Sequence, residues 1–303
     1  RLRALRKTCV CTSTTLQREV KEKMGVSLEC STIRKVFVGS GYKWLPRAQK
    51  PRVSKELAVE RLKFVKAVLR LSQADLREKL SLSLDGVVLS MPPKDPTERA
   101  NHCLHGESHM WRKPGEAAHP DLAGADPYPD QVPLSRAIPL WGGVSEGGMA
   151  IVTFHEQKKV PTPEWVKVVN AGKLRRAIQS LSPVKPDGPW HILLDGEKFL
   201  HTGASKEAYA ACGGGVKTWK LPAKSPDLNP IEKFWGWLRR ELRFKDLADL
   251  NAKRPVLSRA QYKARVRAIC ASAKARRVGS GFAKGYRNVC KEVVRKKGQR
   301  ARG

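Results

Sequence analysis

The sequence predicts an α/β protein, in which a mixed sheet with flanking helices is preceded by an all-α helix-turn-helix segment. Three patterns support this prediction: helical periodicity over residues 12–41, strand alternation over residues 80–89, and a hairpin followed by alternating helices and strands over residues 137–244. The 303 residues are 41% hydrophobic, which is enough apolar material for a packed core. Disorder along the whole chain is therefore excluded.

Residues 1–44 are expected to hold the helix-turn-helix, with its turn at Gly25. Apolar residues are expected on the inner faces of the two helices, namely Leu16, Val20 and Met24 in the first and Ile33, Val36 and Phe37 in the second. Arg34 and Lys35 then face outward, as in a helix that enters a DNA major groove. Other two-helix hairpins share this pattern, so the pattern alone does not decide the function.

Residues 45–56 are predicted to be an extended basic linker, because prolines and like charges oppose compaction. A linker of this kind can itself lie along a phosphate backbone. The candidate DNA-binding residues of the N-terminal part are therefore Arg34, Lys35, Lys43, Arg47, Lys50 and Arg52. A helix over residues 56–71 is expected to lead into the next domain.

The largest domain is predicted over residues 57–250. Its expected elements are a strand at 80–89, a hairpin at 137–144 and 149–155, helices at 163–181, 205–211 and 230–244, and strands at 190–195 and 216–221. Residues 91–136 are rich in Pro, His and Gly, which predicts an irregular insertion with a short strand near 109–112. Asp85 is expected to project from the middle of the first strand, on the face opposite its leucines.

The net charge of +31 is concentrated at the two ends of the chain. Residues 1–70 carry a net +13 and residues 233–303 a net +18, whereas residues 71–232 are neutral. Two basic ends around a neutral body predict arms that bind a polyanion, nucleic acid above all. Generic cationic tails are the simpler alternative, and a membrane surface as partner would require an amphipathic anchor that the sequence lacks.

Residues 251–303 are predicted to be a basic C-terminal extension. We expect it to make nonspecific phosphate contacts and, in a eukaryote, to direct the protein to the nucleus. A solvated tail is the alternative. Because the chain begins with Arg1 rather than Met, further residues are expected upstream.

Neither a membrane protein nor a secretory precursor is indicated, because no window of 18 residues is apolar throughout. The seven cysteines are scattered and form no C-x-x-C pair, which favours a reducing compartment over a disulfide framework. His102, Cys103, His105 and His109 invite a zinc interpretation, but their spacing matches no standard structural site. Surface histidines in an insertion are the alternative.

Three acids lie at positions where a sheet can bring them together. Asp195 follows an apolar strand, at the end where α/β sheets carry catalytic groups, although the following Gly196 also suits a simple turn. Glu232 has a structural alternative as well, since residues 229–232 fit a helix N-terminal cap. If Asp85, Asp195 and Glu232 meet at one edge, they repel one another unless cations neutralise them. The pattern therefore predicts two Mg²⁺ or Mn²⁺ ions that act on a phosphodiester.

The run from Ser225 to Glu232, continued by residues 234–238, closely resembles the signature around the last catalytic acid of the Tc/mariner superfamily of DNA transposases. Shorter matches are residues 111–116, Asp195 with His201 and Thr202, residues 31–41 and residues 61–64, so the resemblance covers roughly residues 12–245. It implies an RNase-H-like catalytic fold with a DDE triad of Asp85, Asp195 and Glu232.

The resemblance also implies cut-and-paste movement of a DNA element, typically into TA sites. The implied partners are double-stranded DNA, as terminal inverted repeats and target, and a second copy of the chain in a homodimer on that DNA. A catalytically inactive or host-adopted DNA-binding protein is the alternative. A basic RNA-binding protein fits the charge but leaves the signature over residues 225–238 unexplained.

Several features depart from the family pattern. The gap of 36 residues between the second and third acids is close to the family's spacing, whereas the gap of 109 between the first two is longer, which we assign to the insertion at 91–136. Gly196 stands where Asn is common, Gly86 stands where an acid is common, and His201 is one residue late. Only the second of the family's usual two helix-turn-helix units is visible.

Overall fold

The computed structural model describes residues 13–46, 53–105, 109–114, 132–181 and 188–301. The helices are α1 (Ser13–Met24), α2 (Cys30–Gly39), α3 (Lys55–Arg70), α4 (Gln73–Lys79), α5 (Pro96–His105), α6 (Thr162–Asn170), α7 (Lys173–Gln179), α8 (Gly203–Ala211), α9 (Pro230–Asn251), α10 (Arg259–Ala271), α11 (Ala273–Lys284) and α12 (Tyr286–Arg295). The strands are β1 (Lys43–Pro46), β2 (Leu82–Ser90), β3 (His109–Arg112), β4 (Ala137–Ser145), β5 (Gly148–Phe154), β6 (Trp190–Leu194) and β7 (Val216–Lys220).

The chain divides into two compact units. The first unit comprises residues 1–52, 92–132 and 250–254, and the second comprises residues 53–91, 133–249 and 255–303. The predicted boundaries group the chain differently, since here residues 92–132 join the N-terminal segment and residues 255–303 join the sheet.

In the first unit, α1 and α2 form the expected pair of helices, with Leu16 and Ile33 buried between them and Phe37 packed against both. The expectation for Val36 and Met24 is wrong, because these side chains are 61% and 68% exposed. Ile33 and Phe37 are four residues apart and therefore lie on one face of α2, which is the packed face. Going around the helix axis, Val36 lies on the opposite side of Ile33 from Phe37 and outside this face. The apolar face of the pair is therefore narrower than the periodicity predicts.

The segment after α2 begins as a strand rather than as a linker. Strand β1 pairs antiparallel with β3, which places Trp44 opposite Trp111. The insertion also holds helix α5 where irregular structure was predicted. The strand pairing joins residues more than 60 positions apart in sequence, so local composition did not reveal it.

The second unit contains a sheet in the order β5-β4-β2-β6-β7. The pairs β5-β4 and β4-β2 are antiparallel, whereas β2-β6 and β6-β7 are parallel. Helices cover both faces: one core contains Leu84 and Trp165, and the other contains Leu89 and Trp235. The predicted mixed sheet with flanking helices is thereby confirmed.

Two predicted helices differ in extent from the observed ones. The helix predicted at 163–181 is two helices, α6 and α7, because Gly172 adopts a left-handed conformation with φ of 69°. The helix predicted at 230–244 continues to Asn251 as α9. The short helix α4 was not predicted, although Ser72 and Asp75 form a capping box at its start.

The basic C-terminal region is helical and packed. Tyr262, Tyr286 and Cys290 are buried in the cores of the second unit, and lysines and arginines occupy the outer faces of α10 to α12. Residues 255–301 are therefore part of this unit's core rather than a solvated tail.

Within the described ranges, no helix combines the length and the apolar character that crossing a membrane requires. Among the described residues, Cys30, Cys103, Cys212, Cys270 and Cys290 form no disulfide bond. The remaining two cysteines, at positions 9 and 11, lie outside the described residues.

Candidate active site

Asp85 lies on β2, and Asp195 directly follows β6, the neighbouring parallel strand. Strand β2 pairs with β6 in the register Leu82 to Ile192, and each aspartate stands three residues beyond its paired residue. Adjacent strands are about 4.8 Å apart, so this register brings the two backbones close. On its other side Asp85 is opposite Gly142 of β4. Asp85 is thus within its strand, as predicted; that strand is the central one of the sheet, and the side chain is only 7% exposed.

Glu232 is the third residue of α9, which packs on the face of the sheet that carries Asp85. Trp235, one turn further along, is buried over Gly142, where an added Cβ would lie 3.0 Å from the indole ring. The glycine on β4 thereby allows the first turn of α9 to lie close to the sheet. Trp235 and Trp237 are 1% and 6% exposed, so both are packing residues of the core rather than base-stacking groups.

The electrostatics show that three carboxylates surround Asp85. Burial is the largest cause that raises the pKa of Asp85 well above its ordinary value, and the charges of Glu232, Asp195 and Glu197 raise it further. The backbone N–H of Gly86 opposes the shift. The side-chain charges that chiefly shift the pKa of Asp85 are thus those of other acids. The structure therefore brings the three predicted acids together, while their catalytic role stays a prediction.

Asp195 is held by groups on the turn that follows it. The backbone N–H of Glu197 donates to Oδ1 of Asp195 over 3.2 Å, and Nε2 of His201 lies 2.7 Å from its carbonyl oxygen. Burial is the main cause that raises the pKa of Asp195, whereas the Glu197 N–H and His201 oppose the rise. His201 belongs to a short helical turn at Lys198–His201, so this turn fixes the position of the aspartate.

Glu197 is a fourth acid that the sequence did not single out. Partial burial and the charge of Asp195 raise the pKa of Glu197 to about 7. Its only sequence signal is its place two residues after a strand-end aspartate. The acidic cluster, comprising Asp85, Asp195, Glu197 and Glu232, is therefore larger than the predicted triad.

The acidic cluster has the donor atoms that hard divalent cations prefer, because Mg²⁺ and Mn²⁺ bind carboxylate oxygens. Among the described residues, no three His, Cys, Asp or Glu side chains stand close enough to bind one metal ion together. Mg²⁺ does not require such a cage, since it is commonly bound by one or two carboxylates, with water and substrate phosphate completing its shell. The residues present therefore fit a divalent metal that is shared with a phosphate-bearing substrate.

Two glycines next to the predicted acids have opposite surroundings. A Cβ on Gly86 would lie 2.7 Å from the ring of Trp141, whereas a Cβ on Gly196 would meet only Cε of Lys220 at 3.9 Å. The absence of an acid at position 86 is thus explained by the Trp141 ring that fills the space. Nothing in the packing explains the absence of Asn at position 196.

The predicted DNA-binding residues that can be placed belong to the first unit. Arg34 and Lys35 are exposed on α2, and Nε of Arg34 donates to Oγ of Ser13 over 3.4 Å. Lys43 is exposed on β1. Arg47, Lys50 and Arg52 lie outside the described residues, and the DNA contacts of all six stay a prediction.

The zinc interpretation gains no support from the described part of the insertion. Cys103 is buried on α5 at 2% exposure, and the described residues of the insertion form no group of three His, Cys, Asp or Glu side chains that could hold a metal ion. The side chains of His105 and His109 are not among those described.

Residues 137–251 match the family described as DDE superfamily endonuclease. No curated protein matches the sequence. Among solved structures, the Mos1 transposase paired-end complex with left transposon end is similar, with a TM-score of 0.57 and 14% identity over 93% of this chain and 74% of that chain. The Mos1 mariner paired end complex with Mn has a TM-score of 0.54 and 14% identity, over 93% of this chain and 74% of that chain.

The catalytic domain of Mos1 mariner transposase is also similar, with a TM-score of 0.53 and 13% identity over 86% of this chain and 100% of that chain. At these identities the structural similarity shows a shared fold. The sequence resemblance found above thus agrees with two findings, namely the match of residues 137–251 to the DDE superfamily endonucleases and a fold similar to that of the Mos1 mariner transposase.

Proposed function

We propose that this protein is a metal-dependent DNA transposase that catalyses strand cleavage and strand transfer. The observation that carries the proposal is the burial of Asp85 among Asp195, Glu197 and Glu232. A buried carboxyl beside three further carboxyls is unfavourable by itself, and a catalytic site for divalent cations gives this arrangement a function. The match to the DDE superfamily endonucleases supports this reaction class.

Asp85, Asp195 and Glu232 would hold the metal, which we propose to be two Mg²⁺ or Mn²⁺ ions. When bound, such ions activate water or a 3′-hydroxyl and stabilise the leaving oxygen of a phosphodiester. The protein fixes the donor atoms in advance: Asp85 by its place within the sheet, Asp195 by its bonds to Glu197 and His201, and Glu232 by the first turn of α9. Such preorganisation lowers the reorganisation that the reaction requires.

The details of the reaction and its partners are proposed from the resemblance of the sequence to the Tc/mariner superfamily and from the similar Mos1 structures. We propose cut-and-paste transposition, with target sites at TA, terminal inverted repeats as the DNA that is recognised, and a homodimer that pairs two ends. Structures of Mos1 with a transposon end and with Mn support DNA and a divalent metal as partners. In a eukaryotic host we propose a nuclear location.

Nicking of a supercoiled plasmid tests the reaction. We expect the protein to nick in Mg²⁺ or Mn²⁺, and we expect Asp195→Asn to slow nicking about a thousandfold, because removal of a metal-binding carboxylate loses several kcal/mol of transition-state stabilisation. Binding of a fluorescent 50-base-pair duplex, measured by anisotropy, is expected to stay the same or to tighten. Lys206→Ala, an exposed change on α8, is a matched surface control.

Unchanged nicking by Asp195→Asn would overturn the assignment. A wild-type protein that binds the duplex but does not nick would support the alternative, a transposase-derived protein that only binds DNA.

A further inference from the structure

The loop that leads into Glu232 is held by a buried arginine. Arg61 of α3 is 0% exposed, and its NH1 and NH2 atoms donate to the two carboxylate oxygens of Asp227 over 3.0 and 2.6 Å. NH1 also donates to Oγ of Ser225 over 2.6 Å. Both acceptor residues belong to the loop before α9. The guanidinium therefore fixes this loop at two residues with three hydrogen bonds.

The same arginine joins the C-terminal segment to the loop. Nε of Arg61 donates to the carbonyl oxygen of Gly298 over 2.9 Å, and the backbone N–H of Ala301 donates to Oδ2 of Asp227 over 2.9 Å. Asp227 thus accepts from the helix α3 and from the C-terminal segment. Residues 298–301 contribute to the position of the loop although they are about 70 residues away from it in sequence.

The other end of the loop is bonded to the strand of Asp85. Oγ of Ser83 donates to Oδ1 of Asn229, the residue before α9. Ser83 stands two residues before Asp85 on β2, hence on the same face. The loop is consequently held between Arg61 and β2, and Glu232 follows three residues after Asn229.

A buried ion pair is a poor source of stability. Its desolvation penalty often equals its attraction, and apolar residues of similar volume commonly replace such a pair without loss of stability. A bidentate arginine and carboxylate instead fix a geometry, because the planar fork accepts one arrangement of the partner. The pair of Arg61 and Asp227 therefore indicates a requirement for position rather than for stability.

We propose that Arg61, together with the backbone at 298–301, is a positioning device for Glu232 that sets its distance from Asp85 and thereby the affinity of the acidic cluster for divalent metal. The inference rests on the proposed function, since it assumes that Glu232 binds metal. It also assigns residues 298–301 a role in the active site that differs from nonspecific DNA contact.

The test is a titration of the full chain with Mn²⁺, in which free Mn²⁺ is measured by electron paramagnetic resonance. The double variant Arg61→Met with Asp227→Leu removes both charges and keeps the volume, so we expect it to fold. Its Mn²⁺ dissociation constant is expected to rise about tenfold, the effect usual for groups that orient metal ligands. Plasmid nicking is expected to require correspondingly more Mn²⁺, while duplex binding is unchanged.

The matched control is a second buried pair of the same unit. Arg265 donates to Asp246 over 2.8 Å and to Asp249, far along α9 from Glu232. The variant Arg265→Met is expected to lower stability and to leave Mn²⁺ affinity unchanged at a temperature at which it is folded.

A substitution at Gly298 tests the contribution of the C-terminal segment. Gly298 has φ of 84°, and an added methyl would collide with the carbonyl oxygen of Ala58 on α3. Gly298→Ala is expected to displace the segment and to weaken Mn²⁺ binding. Gly281→Ala, at a position with open space around it, is expected to have no such effect.

An Mn²⁺ affinity of the double variant equal to that of the wild type would overturn the positioning role, and so would an equal loss in Arg265→Met. These outcomes leave the proposed function intact as long as the wild type binds Mn²⁺ and nicks DNA. A wild type that binds no Mn²⁺ would overturn both the proposed function and the inference.

Discussion

Two groups of acids in the second unit have different neighbours. Asp246 and Asp249 of α9 share the guanidinium of Arg265, and the hydroxyl of Tyr262 donates to Asp246 over 3.0 Å. By contrast, the side-chain charges that chiefly raise the pKa of Asp85 come from the other carboxyls of the acidic cluster. Arg265 thus offsets the charge of the first group, whereas the acids around Asp85 add to its own charge.

This difference in neighbouring charges indicates different roles for the two groups of acids. Burial raises the pKa of Asp246 to about 6 although Arg265 lies beside it. Burial of a carboxylate in this protein is therefore unfavourable even when a cation is its partner. The acidic cluster brings carboxyls together from strand β2, the turn after β6 and helix α9. We propose that a divalent cation offsets their charge there, as Arg265 does beside Asp246.

The largest expected difference is in activity. Asp85→Asn is expected to slow plasmid nicking about a thousandfold, because it removes a metal-binding carboxylate. Asp246→Asn removes another buried acid, from the other group, and is expected to keep nicking within about threefold of wild type, because the site lies away from the chemistry. Similar losses in the two variants, measured by gel densitometry, would abolish the distinction between the groups.

The next difference is in stability. Arg265→Met leaves the carboxylates of Asp246 and Asp249 without their guanidinium and is expected to lower the free energy of unfolding by about 3–5 kcal/mol. Asp85→Asn relieves repulsion and is expected to leave that free energy unchanged or to raise it by about 1 kcal/mol in metal-free buffer. Urea denaturation in EDTA measures both. A loss in Asp85→Asn as large as that in Arg265→Met would contradict the comparison.

Two glycines beside the acidic cluster are expected to differ more modestly. Gly86→Ala places a methyl against the ring of Trp141 and is expected to lower the free energy of unfolding by about 1–3 kcal/mol. Gly196→Asn extends into open space and is expected to change it by less than about 0.5 kcal/mol. Thermal denaturation measures the stability of both variants. A larger loss of stability in Gly196→Asn than in Gly86→Ala would contradict the packing described around the two glycines.

The smallest expected effect is that of the metal on stability. A ligand at about ten times its dissociation constant stabilises the folded state by about 1.4 kcal/mol, so Mg²⁺ is expected to raise the Tm of the wild type by a few degrees. The double variant Asp85→Asn with Glu232→Gln is expected to lose this increment. An equal increment in both proteins would mean that Mg²⁺ binds elsewhere.

Much of the second unit is predictable from sequence because its strands are short apolar runs bounded by turns. The alternation around Asp85 and the apolar run before Asp195 place both acids correctly, since side-chain direction in a strand follows from its period. Glu232 is located by the helix start at Pro230. Local pattern and tertiary position agree for these three residues.

Other features depend on contacts between distant parts of the chain. The oxygen of Asn229 that suits a helix cap accepts instead from Ser83 on β2. Arg61 shares a helix face with the buried Val65 and Val68, but the pattern within the helix does not identify Asp227 as its partner. Glu197 joins the acidic cluster only because the turn at Lys198–His201 holds it beside Asp195. None of these pairings has a signature within one segment.

Anomalous X-ray diffraction from crystals grown with Mn²⁺ shows directly whether the acidic cluster binds metal. We expect two Mn²⁺ peaks within coordination distance, about 2.2 Å, of carboxylate oxygens of Asp85, Asp195 and Glu232. An anomalous map in which Mn²⁺ occupies other sites, with none at these carboxylates at saturating concentration, would contradict it.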